Sequence, residues 1–213
     1  MKKISLILVI TLFGSITLFG LVFGNHVDSG YNGNGDSDKS NANTLKTLII
    51  TGAGQFIQSQ SLFQQFLHKI ELAELYGVNY DELDGILNET IANLESAGTT
   101  YNEFIKLASI TPYNQSFIDA LKSFDYENFS KEHNLNPVIF SRLVSLLRAG
   151  NLTGVIEHIY AKTIEISRLC LIVKASVDRD IFPDITVLWQ INQVYFDAYL
   201  FGQYAAMIFN EVN

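Results

Sequence analysis

Nine side chains between Tyr80 and Ala108 decide what this chain can fold into. Tyr80, Leu83, Leu87, Thr90, Leu94, Ala97, Tyr101, Phe104 and Ala108 alternate steps of three and four. That spacing lays one continuous stripe along an α-helix, whereas a strand would need every second residue. Asp81, Glu82 and Asp84 crowd its start, where negative charge complements the helix dipole. A stripe of this length must be covered by other helices, since most helical stability in a protein comes from packing an amphipathic face.

Companions are present on both sides. From about Gln55 to Tyr76, Phe56, Phe63, Phe66, Ile70 and Ala73 fall on one side. Gly77 then ends that helix, and Val78-Asn79 leave room only for a tight αα-hairpin. A second pair closes the chain. Asn151 or Thr153 caps a helix to about Val177, with Ile156, Ile159, Thr163, Ile166, Cys170, Val173 and Val177 as its seam. After a turn at Asp180–Pro183, a last helix starts at Pro183 or Asp184 and reaches about Phe209. It carries one charge, Asp197, and is apolar on more than one face, which predicts a central or self-associating helix. Gln190, Asn192, Gln193, Asp197 and Gln203 argue against its spanning a membrane.

Between the pairs, Thr111-Pro112 breaks the pattern. Short helices are predicted at about 115–124, 126–133 and 137–149, with Asp125 capping the second. Asn136-Pro137 supplies a cap and a first-turn proline, and Gly150 a left-handed stop. The fold class is therefore all-α: an antiparallel up-and-down four-helix bundle with a short helical insertion between the second and third long helices.

The chain's beginning predicts export. Lys2 and Lys3 precede an uncharged run from Ile4 to Phe23, and Val22 and Gly24 sit at the −3 and −1 positions of a signal-peptidase cut before Asn25. As a helix the run would be about 30 Å long, enough to stay as an anchor. Both outcomes place the remainder outside the cytoplasmic membrane, periplasmic or extracellular, with the membrane touched only through residues 4–23 if they are uncleaved. Residues 25–44 are rich in Gly, Asn, Ser and Asp and read as a flexible tether. The domains are then 1–24 as leader or anchor, 25–44 as linker and 45–213 as the helical domain.

Charge and cysteine usage narrow the chemistry. Removal of the two leader lysines takes the net charge from −8 to −10, so phosphate backbones are repelled and nucleic acid is not an expected partner. The single cysteine, Cys170, lies in the apolar run LCLIV and reads as a buried small hydrophobe. One cysteine makes no intramolecular disulfide, CxxC pair, haem attachment or cysteine-rich zinc site.

Motifs for catalysis are weak. LIITGAGQF (Leu48 to Phe56) has Gly52 and Gly54, but Ile57 stands where a dinucleotide-binding turn needs its third glycine, so a helix start or kink fits better. His68, Glu71 and Glu74 share one helix, and Glu157-His158 lies on another. A di-metal bundle site needs two Glu-x-x-His pairs, and none occurs. His26 and His133 have no partner at ligand spacing. There is no Gly-x-Ser-x-Gly, His-Glu-x-x-His or P-loop. No metal, cofactor or catalytic residue is assigned. Asn-x-Ser/Thr sequons stand at Asn88, Asn114, Asn128 and Asn151, relevant only in a glycosylating host.

The aromatic residues are the candidates that remain. Tyr101 and Phe104, with Trp189, Tyr195 and Tyr199 on the last helix, can border an interhelical pocket for a small apolar ligand. Thr90, Ala97, Ala108 and Gly202 are the small seam positions that would leave it space. The leading expectation is an exported, non-catalytic envelope module that contacts a partner protein or holds such a ligand, with a homo-oligomer seam on the last helix. The alternatives are a membrane-tethered accessory or sensory domain and an exported metalloprotein or enzyme. Burial of Phe196, Phe201 and Tyr204 would remove the main support for interaction.

Overall fold

The computed structural model describes residues 35–111 and 113–212. The apolar run at 4–23 and the cut before Asn25 lie outside the described residues. Those described are all-α: α1 (Gly35–Tyr76), α2 (Tyr80–Ala108), α3 (Gln115–Ser123), α4 (Tyr126–His133), α5 (Pro137–Arg148), α6 (Leu152–Val177) and α7 (Ile185–Val212). No helix among them is long and apolar enough to cross a membrane.

α1 is longer than its periodicity predicts. It starts at Gly35 rather than near Gln55, so residues 35–44, read from composition as tether, are helical. Leu45 and Ile49 explain the extension, because both are fully buried and continue the Phe56–Phe63–Phe66–Ile70 stripe backwards. Once one turn is anchored, each further residue adds a hydrogen bond without a new nucleation cost.

Gly77 adopts φ +85° and ends α1, and the Asn79 side chain accepts the Glu82 N–H at the start of α2. Contacts between the two helices run antiparallel. Lys69 meets Glu82 at 2.6 Å near the hairpin, while further along Gln55 donates to Ser96 at 2.6 Å and accepts from Thr100 at 3.0 Å. α2 packs in turn on α6, with Asp84 paired to Lys174 and Gly98 beside Tyr160 and Ile164. α6 packs on α7, and α7 reaches α1 through Tyr195–Ser59 and Gln64–Asn192 hydrogen bonds of 3.0 and 2.9 Å. The expected seams of α2 and α6 are buried, apart from the half-exposed Tyr80.

α3, α4 and α5 fall where the turn chemistry puts them. Asn114, Asp125 and Asn136 each accept backbone N–H groups as N-caps, Pro137 opens α5, and Gly150 takes φ +69° before the Asn151 cap of α6. This insertion is tied to α7. The Asn136 N–H donates to the Tyr204 hydroxyl at 3.0 Å, and Phe140 meets the Tyr204 ring at 6.3 Å.

Candidate functional site

α7 divides its aromatic residues between two faces. Inward, Tyr195 is fully buried against Phe56 and Phe63, with ring centroids 5.3 and 5.8 Å away. Its hydroxyl donates to Ser59 Oγ, which donates onward to the Phe56 carbonyl at 2.6 Å. Burial holds the phenol far above its ordinary range, so it acts as a fixed donor. Phe201 and Tyr204 are buried too. Phe104, from α2, lies wholly within the core.

At the level of Tyr101 the core leaves an apolar gap of about 20 Å³, lined by Ile49, Ala53, Phe56, Ile156, Ile159 and Gly202 among others. Tyr101 has the only polar side-chain atom on its walls, and no described residue bonds the hydroxyl. Burial alone raises its pKa. Gly52 admits the ring: a Cβ there would stand 2.8 Å from Tyr101 Cε1. Tyr199 does not line the gap but packs against its Ala53 wall, together with Ile57 and Leu200. The gap has room for about one water, but one hydroxyl is too few partners to hold a water well. Pockets for drug-sized ligands are roughly 300–1,000 Å³.

The five residues expected to share a pocket are thus placed apart. Tyr101 borders the gap, Tyr199 packs across its α1–α7 side, and Tyr195 and Phe104 are core. Trp189 is 63% exposed on the opposite face of α7. Ile185 and Trp189 are one turn apart, Phe196 follows two turns later, and these are exposed with Gln190 and Gln193 beside them. Ile181 and Phe182, in the α6–α7 turn, are exposed as well. The chain's only tryptophan therefore lies within a stretch of apolar and amide side chains.

Ionisable groups gather on the other edge of α7. Asp197 Oδ2 lies 3.4 Å from Lys162 Nζ and 3.8 Å from both Arg142 Nη1 and His158 Nε2. His158 stacks on Phe201 at 4.0 Å, and its Nε2 is buried without a hydrogen bond, since 3.8 Å is too long for one. Its pKa is lowered, first by burial, against the pull of Asp197 and with the help of Lys162 and Arg142. This group joins α5, α6 and α7, and nothing in the helix periodicity signals that Arg142 would reach Asp197. Cys170 is fully buried, which pushes its thiol up to about 12 and leaves it unreactive.

The described metal candidates do not converge. His68 and Glu71 are 4.0 Å apart on the surface, exposed by 66% and 70%, and His133 packs on the Phe129 ring. Among the described residues no group of three His, Cys, Asp or Glu is placed to hold a metal. No protein-family model, curated protein or solved structure matches this chain.

Proposed function

We propose that this chain is an exported, non-catalytic interaction module that presents the outer face of α7 to another protein in the cell envelope. In this reading α1, α2, α6 and α7 form an antiparallel up-and-down four-helix bundle, with α3–α5 as an insertion bracing α7. The antiparallel contacts of each successive pair, and of α7 with α1, support that arrangement.

One observation carries the functional reading: Trp189 is 63% exposed beside exposed Ile185 and Phe196. Contiguous apolar surface on a soluble domain marks an interaction site, and tryptophan is enriched at the points that dominate binding energy. Phe201 and Tyr204 are needed for the core, so the case for interaction rests on Ile185, Trp189 and Phe196 alone. Binding of a small apolar ligand has less support, because the gap at Tyr101 is about 20 Å³.

A photo-crosslinking residue at position 189 of the full chain, activated in cells that export it, tests this reading. A discrete protein adduct at 189, and none from the exposed acidic position Glu103, is the expected result. Absence of any adduct at 189 removes the proposal. The intact mass of the isolated chain tests export, since a start near Asn25 means cleavage and a retained Met1 means a tethered module.

A further inference from the structure

Resting on that reading, we infer that the occupant of the α7 face is a second copy of this chain, docked antiparallel about a two-fold axis near residues 189–190. A two-fold contact places one patch against itself, so the patch must be its own complement. Apolar side chains satisfy that condition. So do amides, because Gln190 and Gln193 each carry both donors and an acceptor. A charged residue at the axis does not, since it would meet its own sign. The α7 face meets this requirement: Asp197, the one charge in the middle of the helix, is turned toward Lys162, His158 and Arg142.

The rest of the molecule argues the same way. A chain carrying −10 beyond its leader repels its own copy over most of its surface. An uncharged face is where two copies can approach at least electrostatic cost; beyond the helix Ile181 and Phe182 add apolar surface between the exposed Asp180 and Asp184. Ile181, Phe182, Ile185, Trp189 and Phe196 are exposed by 54%, 40%, 62%, 63% and 39%. At about 150–200 Å² for each side chain, they offer about 450 Å² per copy. Two copies bury about 900 Å² before the amides are counted, below the roughly 1,200 Å² of standard interfaces and within the range of weak, transient ones. A dimer of that size forms reversibly, and its association strengthens with ionic strength as the mutual repulsion is screened.

Single cysteines in the full chain test the two-fold, because the native thiol at Cys170 is buried and contributes no background. Under mild oxidation in exporting cells, Gln190→Cys is expected to form a disulfide-linked homodimer and Glu103→Cys none. Thr186→Cys alone stays monomeric, with its copy about 10 Å away along the helix axis. Mixed Thr186→Cys and Gln193→Cys chains do link, because the axis sets 186 opposite 193. Adding Trp189→Ala to Gln190→Cys lowers the dimer yield about tenfold. Equal dimer from Glu103→Cys, or adducts of Gln190→Cys only with other proteins, overturns the two-fold. The second of those results leaves the interaction module standing. A Gln190→Cys chain that links to nothing, and whose new thiol reacts freely with a water-soluble maleimide, overturns both.

Discussion

Two glycines near the Tyr101 gap are expected to respond to the same substitution with opposite signs. Alanine is better than glycine inside a helix by about 1 kcal/mol, so propensity favours both Gly52→Ala and Gly202→Ala. Their surroundings differ. A Cβ at Gly202 comes no closer than 3.7 Å to Ile159 Cδ1, ordinary contact on the wall of a gap with spare room. Gly202→Ala should therefore stabilise the protein by about 1 kcal/mol. A Cβ at Gly52 meets three atoms of the Tyr101 ring at 2.8, 3.0 and 3.2 Å. The ring would have to retreat by roughly 0.7 Å to reach normal carbon–carbon separation. It is rigid and 3% exposed, and the adjoining gap is about one water in size, so helix α1 or α2 must shift. Overpacking of this kind costs about 1–3 kcal/mol. After the gain in propensity, Gly52→Ala should be less stable than the parent by about 1 kcal/mol. The two variants then differ by about 2 kcal/mol, or roughly 4–8 °C in Tm for a domain of this size. Urea unfolding followed by circular dichroism reads the difference directly. Tyr101→Leu should make Gly52→Ala harmless, which identifies the ring as the obstacle. A Gly52→Ala protein at least as stable as the parent would refute the argument.

Two further outcomes follow from buried polar atoms. Ser59→Ala leaves the Tyr195 hydroxyl without its acceptor and should cost about 1–3 kcal/mol, whereas Tyr195→Phe removes donor and need together and should cost less. Equal losses in urea unfolding would contradict that order. His158 has its pKa lowered in the fold, so between that value and the ordinary value of about 6.5 the unfolded chain binds the extra proton. Stability should therefore fall as pH drops below about 6.5 and level off once the folded pKa is passed. In His158→Gln this part of the slope should vanish from urea midpoints measured between about pH 5 and 7.5. An unchanged slope would assign it elsewhere.

Most of the helical layout was legible because local chemistry and periodicity agree there. Asn136-Pro137 both starts a helix and rules out its extension backwards, and Gly77 and Gly150 hold the left-handed conformations that stop helices. The start of α1 was not legible for a physical reason. Leu45, Ile49, Ala53 and Phe56 do keep helical spacing, but Gly52 and Gly54 interrupt them with residues that locally disfavour a helix. Gly52 is there for the Tyr101 ring, a contact between residues 49 positions apart that no window of sequence contains.

The candidate site shows the same division more sharply. The sequence marks α7 as too rich in aromatic residues for one buried stripe, yet a helix apolar on several faces has no privileged inside. Its orientation comes from distant partners: Ser59 fixes Tyr195, the Asn136 backbone fixes Tyr204, and Lys162, with Arg142 and His158 near by, turns Asp197 toward α6. With Tyr195 and Asp197 held on separate flanks, the 100° step per residue leaves Trp189, Gln193 and Phe196 outermost. The polar contacts that seat α7 thereby decide which aromatic residues are left for a partner. A one-residue register shift would carry Tyr195 into the exposed place of Phe196 with its hydroxyl unpaired, or, in the other sense, Trp189 into the buried place of Leu188. Loss of the Ser59 contact should accordingly disturb the outer face as well as the core, and spectral change at Trp189 in Ser59→Ala would report it.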